Sequence, residues 1–263
     1  MKKVLSIAGS DSSGGAGIQA DLKTILSHQM YGMTAITALT AQNTTGVYGI
    51  SPVTPDFLAN QLDCIFTDIM PDAVKIGMVS DPMLIEVIVE KLKQYGAKNI
   101  VVDPVMVATS GSALSNDESV KALVSRLIPV ADVITPNLSE AGVLCQMDLD
   151  SEDTMLQAAR VIQNTYDGYV LVKGGHSKEN ANDLLAKDGK HWWIEGKRME
   201  NPNTHGTGCT LSSAIACNLA AGCDMLTAVT NAKEYITGAI ADGLVLGKGR
   251  GPLNHGYWLE RKK

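Results

Sequence analysis

The stretch "KVLSIAGSDSSGGAGIQADLKTIL" (residues 3–26) passes from an apolar run into a glycine-serine turn and then into a helical pattern. Residues 3–9 are nearly continuous in apolar character, as a strand covered on both faces requires. From residue 15 onward, Ile18, Leu22, Ile25 and Leu26 recur at helical spacing, which predicts a helix over 15–29. A strand feeding a helix through a tight turn is the opening half of a β-α-β unit. The rest of the chain repeats it. Strand candidates lie at 34–42, 73–79, 99–105, 132–137 and 169–175. Residues 83–94 place Leu84, Val87, Ile88 and Leu92 on one helical face, and another helix opens at Ser151 with Glu152 and Asp153 in its first turn. This alternation predicts an α/β fold, a central mostly parallel sheet with helices on both faces.

After residue 175 the pattern changes. "NDLLAKDGKHWWIEGKRM" (182–199) sets Asp-Gly between two β-rich runs, which predicts a small hairpin near 183–198. Two alanine-rich helices follow, at about 208–221 and 225–246. No linker, repeat or break in composition appears, so residues 1–263 are expected to form a single domain. Hydrophobic residues at 45% and charged residues at 19% fit a soluble globular chain. A net charge of −6 argues against a general nucleic-acid or membrane-surface binder. The N-terminal apolar run is broken at Ser6 and Gly9, too soon for a signal peptide, and no run is long enough to span a membrane. Five cysteines without a CxxC pair suggest reduced thiols and a cytoplasmic location.

In such sheets, ligands bind beyond the C-terminal ends of the strands. Those ends are polar throughout this chain: the 9–21 turn, then Gln42 and Asn43, "GMVSD" with Met78, and "DPVMVATSG" with Asp103. "TPNLSEA" with Asn137 and Glu140 and "KGGH" with Lys173 follow. Asp and Asn are ordinary turn residues singly, but six successive strands ending this way predict a shared cleft. A second glycine turn, "NPNTHGTGCTLSSAIA" (201–216), leads into a helix marked by Leu211, Ile215 and Leu219. Small residues at 206 and 208 let a backbone approach a ligand, and the helix N-terminus suits phosphate. The same field favours a thiolate at Cys209. On these residues alone, a plain turn with a half-buried cysteine reads equally well.

Taken together, "SIAGSDSSGGAGIQADLKT", "ALTAQNTTGV", "VVDPVMV", "TPNLSEA", "LVKGGH" and "THGTGCT" resemble the hydroxymethylpyrimidine/phosphomethylpyrimidine kinases of thiamine synthesis. These are members of the ribokinase-like superfamily. The matches run in order from Leu5 to about His255. The resemblance implies transfer of the ATP γ-phosphate, with Mg²⁺, to 4-amino-5-hydroxymethyl-2-methylpyrimidine and then to its monophosphate. It implies that backbone N–H groups of Gly206, Thr207, Gly208 and Cys209 hold the developing charge. Cys209 would take the hydroxyl proton, its pKa brought down by the helix end. Gln42 would pair with the aminopyrimidine edge. Gly9 and Ala16 would leave room for the ring, Met78 would pack on its face, and Asp21 would anchor the loop or accept from the substrate. Asn137, Lys173 and Thr207 would face the nucleotide phosphates, and Asp103 and Glu140 would hold Mg²⁺. A homodimer is implied on the same ground.

Other features read as structural. The tail "GKGRGPLNHGYW" resembles the family's closing segment, with Lys248 and Arg250 as a solvated pair and His205 and His255 as structural histidines. Cys64, Cys145, Cys217 and Cys223 read as packing residues. The nearest alternative is a pyridoxal or pyridoxine kinase. One branch of those enzymes carries a second cysteine after the "DPVMV" segment, where this chain has Ala108. Many pyrimidine kinases have lysine where this chain has Thr109, which puts a phosphate contact from that loop in doubt. A non-catalytic pyrimidine-binding sensor is a further alternative, and a sugar kinase would require aspartate at 209.

Overall fold

The computed structural model describes residues 1–106, 117–175 and 181–260. Ala108 and Thr109 lie outside the described residues. The described strands form one nine-stranded sheet in the order β3-β2-β1-β4-β5-β6-β7-β8-β9. β1 (Lys3–Asp11) runs parallel between β2 (Tyr31–Asn43) and β4 (Ala73–Ile76). β5 (Ile100–Val102), β6 (Val133–Ile134) and β7 (Tyr169–Val172) continue the parallel array. β3 (Gly46–Pro52), β8 (Asp183–Lys187) and β9 (Lys190–Ile194) are antiparallel to their neighbours.

The apolar runs are continuous because the sheet has two cores. On one face, Leu5, Ile7, Val74 and Ile76 meet α2 (Pro55–Asp68), α3 (Pro82–Gln94), α5 (Leu138–Cys145) and α6 (Glu152–Gln163). On the other, Val4, Val101, Val133 and Leu171 meet α1 (Gly17–Ser27), α7 (Thr207–Ala221) and α8 (Met225–Ala241). α4 (Asp117–Ala122), which runs on through a π turn at Leu123–Leu127 and a 3₁₀ turn at Ile128–Val130, and a short α9 (Tyr257–Glu260) complete the helices described. None of the helices is long and apolar enough to cross a membrane, among the described residues.

The predicted α/β fold is present, with differences of extent and with α2, α4, α5 and β3 as elements beyond those the sequence delimits. The middle strands are shorter than their apolar runs, since their last residues leave the ladder to line the cleft. β2 turns back through Thr44 and Thr45 into β3, an edge strand that the sequence pattern does not signal. α5 begins directly after β6, capped by Asn137, whose side chain accepts from the Glu140 N–H while the Glu140 carboxylate accepts from the Asn137 N–H. α8 stops at Ala241 rather than 246, where Gly243 takes a left-handed φ of 74°. The Asp-Gly hairpin forms at 183–194, with Asp188 and Gly189 both left-handed, as a two-residue hairpin turn requires.

Candidate active site

Beyond the C-terminal ends of the parallel strands lies a cleft of about 880 Å³. The turn before α7 forms its floor. Gly206 takes φ +83° and caps α7 without a side chain; a Cβ there would overlap the Gly15 carbonyl. A Cβ on Gly208 would stand 3.2 Å from the Asp103 Oδ2 and 3.5 Å from the Lys173 Nζ. The glycines therefore bring the first-turn N–H groups, which have no partner within the helix, against a carboxylate and an ammonium. Thr207 and Cys209 line the same floor.

One wall carries Gly9, Ala16, Gln42 and Met78. Met78 lies across Gly9, where an added Cβ would come to 2.6 Å from its Cε. The opposite wall carries Asp103, Asn137, Glu140 and Lys173. Asp103 Oδ1 accepts from the Lys173 Nζ at 2.8 Å and from the Thr135 hydroxyl at 3.0 Å. Burial opposes the Lys173 charge, but Asp103 and Glu140 outweigh it and hold the lysine above its ordinary range. Burial raises Glu140 to about 7, with Asp103 adding to the rise and Lys173 opposing it. Among the described residues no three metal-ligating side chains cluster. Two carboxylates with hard oxygen donors still suit Mg²⁺, which keeps most of its water and takes few protein ligands.

Two expectations need correction. Cys209 is not tuned downward: burial pushes its thiol up to about 11, against the pull of the Lys75 ammonium. Asp21 does not reach the cleft as a substrate contact. It is fully buried, its carboxylate accepting from Lys75 Nζ at 2.9 Å on each oxygen and from the Ser6 and Ser213 hydroxyls at 2.5 and 2.8 Å. Its role is the anchoring one, joining α1, β1, β4 and α7 beneath the floor.

Two further residues enter the wall. Asp11, 3% exposed, accepts from the N–H groups of Ser13, Gly15 and Ala16 and from the His205 Nε2 at 2.8 Å. Burial opposes its charge, but these donors, His205 foremost, lower it to about 2. Asp11 and His205 both line the cleft. His255, by contrast, is buried with its Nε2 3.0 Å from the Thr210 hydroxyl, and burial lowers it to about 4.

The sheet order and the amide-floored cleft place the chain in the ribokinase-like class of α/β kinases. Residues 11–254 match the phosphomethylpyrimidine kinase family. A hydroxymethylpyrimidine/phosphomethylpyrimidine kinase of Rhizobium meliloti is 48% identical over 95% of this chain and 96% of its own length. The phosphomethylpyrimidine kinase of Clostridium difficile 630 superimposes with a TM-score of 0.82 at 44% identity, over 91% of this chain and 100% of that one. An ADP complex of Bacillus subtilis pyridoxal kinase gives 0.91 at 40% identity, over 99% of both chains. The chain belongs to the phosphomethylpyrimidine kinase family.

Proposed function

We propose that this chain phosphorylates 4-amino-5-hydroxymethyl-2-methylpyrimidine, and then its monophosphate, with ATP and Mg²⁺. The observation that carries the reading is the cleft itself. An amide able to pair with an aminopyrimidine edge (Gln42) and a soft apolar cover (Met78) share it with Cys209 and the N-terminus of α7. Family membership and the names of the relatives support the same substrate.

Phosphoryl transfer depends mainly on positioning and on neutralising charge. Lys173 is a point charge for the nucleotide phosphates, the α7 N–H groups receive the charge that develops on the transferred group, and Asn137 and Thr207 flank them. Asp103 and Glu140 would hold Mg²⁺, which when bound neutralises the phosphate oxygens. Cys209 accepts the hydroxyl proton. Only its thiolate can do so, so the thiol, raised by burial, must first release its proton to solvent.

We also read the protein as a cytoplasmic homodimer. Free thiols support the compartment, and an uncharged, apolar edge strand supports the dimer.

A substrate panel tests the reading: ATP consumption with the hydroxymethylpyrimidine, its monophosphate, pyridoxal and pyridoxine, for the wild type and Cys209→Ala. The pyridoxal arm is included because of the likeness to the Bacillus subtilis enzyme. Turnover of both pyrimidines, lost in Cys209→Ala with binding intact, is expected. Turnover of B6 vitamers alone would transfer the chain to the other activity. Pyrimidine binding with no ATP consumption would make it a sensor.

A further inference from the structure

We infer that Asp11 and His205 form a specificity device: His205, held by Asp11, fixes the Gln42 amide with its oxygen toward His205 and its nitrogen toward Thr40. The orientation decides which hydrogen-bonding edge an acceptor ring must present. The inference rests on the aminopyrimidine reading of the cleft and deepens it.

The argument is one of matching donors to acceptors. The His205 Nε2 lies 2.8 Å from the Asp11 carboxylate, so that nitrogen carries a hydrogen and donates it. The Gln42 position nearest this nitrogen is 3.4 Å away. Were the amide nitrogen placed there, two N–H donors would face each other. The other amide position lies 3.1 Å from the Thr40 hydroxyl, whose single hydrogen goes to the Ser10 carbonyl at 2.7 Å. Were the amide oxygen placed there, two acceptors would face each other. A half-turn of the amide about its last bond repairs both contacts at once. Its oxygen then lies 3.4 Å from the His205 N–H as the weaker second acceptor of the hydrogen that Asp11 receives, and its nitrogen donates to a Thr40 lone pair.

The histidine cannot drift from this position. Asp11, which gathers the N–H groups of the 13–16 turn, grips its Nε2. Gly15 packs so closely beneath the ring that a Cβ there would overlap it. His205 thus joins the turn after β1 to the turn that begins α7. Gln42 retains one amide hydrogen and one oxygen lone pair for a ligand, in a fixed order along its edge. An exocyclic amine beside a ring nitrogen offers the complementary order. A ring edge with acceptors alone leaves the amide oxygen unpaired, a mismatch that sites of this kind reject strongly.

Two measurements test this. In the unliganded, isotopically labelled wild type, the Gln42 side-chain NH₂ protons should show NOEs to the Thr40 methyl and not to the His205 ring; the converse overturns the orientation. In turnover, His205→Phe should raise KM for the aminopyrimidine about threefold, the low end of what a hydrogen bond contributes, since Gln42 shares this hydrogen with Asp11, with KM for ATP unchanged. His205→Gln, which keeps an N–H donor at similar reach, should recover most of that loss. In a Gln42→Ala background, His205→Phe should add nothing further. A full additional loss there, or an equal rise in KM for ATP, would make His205 a packing residue and overturn the proposal. Should His205→Phe fail to fold, the NOE pattern decides. A wild type that binds the pyrimidine without phosphorylating it sinks the kinase reading alone, since the same cycle then reads in Kd; one that neither binds nor phosphorylates it sinks both.

Discussion

At Cys209 two effects oppose each other, and their sizes decide the outcome. A helix N-terminus stabilises an anion by about 0.3–1 kcal/mol, less than one pKa unit. Burial outweighs this and raises the thiol to about 11. Since only the thiolate accepts a proton, kcat/KM should rise about tenfold per pH unit between 7 and 9. Cys209→Ala should lose about 10²–10⁴ in rate together with that slope. A flat profile in the wild type would remove the sulfur from proton transfer. Asp11 has the opposite sign. Its folded value of about 2 lies below its ordinary 3.8, so its stabilisation is complete above about pH 4 and is lost as pH falls through 2. Asp11→Asn should therefore cost about 2 kcal/mol in urea unfolding at pH 7. The gap between wild type and variant should close as pH approaches 2. A gap independent of pH would mean the loss comes from packing.

At the scale of elements, the Asp21–Lys75 pair joins α1 to β4, with the hydroxyls of Ser6 of β1 and Ser213 of α7 as further contacts. A buried pair contributes little net stability when intact, but removing one partner strands the other charge. Asp21→Asn should cost about 3–5 kcal/mol in denaturant unfolding, and Asp21→Leu combined with Lys75→Met should recover most of it. If the single and double variants lose equally, the pair is not acting through charge. Asp21 also shows where sequence reasoning stopped. Gln42, Met78, Asp103 and Lys173 are legible because each lies at or just past the C-terminal end of a strand, and strand ends face the ligand edge of a parallel sheet. Asp21 follows β1, but it lies on α1 beyond the turn, facing into the sheet. The Asp11–His205 pair joins residues 194 positions apart, and no local pattern records such a contact. β3 was hidden for a different reason: Gly46, Gly49 and Pro52 lower the strand signal of a segment that needs only one partner.

For the molecule as a whole, the two edges of the sheet are treated unlike each other. β9, at one end, begins with Lys190 and His191, the charged kind of edge that resists pairing. β3, at the other end, carries no charge and exposes Tyr48 and Ile50, with Leu39 of β2 and Phe57 of α2 also open to solvent nearby. An undefended apolar edge of this kind is suited to a second copy of the chain. Light scattering should then give a mass near twice the 27.9 kDa of one chain. Tyr48→Lys with Ile50→Lys should give a monomer, since a stable interface needs roughly 800 Å² per partner and tolerates no unpaired charge at its centre. The consequence should reach the cleft. β3 pairs with β2, and β2 carries Thr40 and Gln42 into the acceptor wall. Loosening the β2–β3 hairpin should therefore raise KM for the pyrimidine while leaving unchanged KM for ATP, which the proposed function assigns to the wall built from β5, β6 and β7. A wild type monomeric at tens of micromolar would sink the dimer; a monomeric variant with both constants unaltered would show that the edge strand and the acceptor wall are independent.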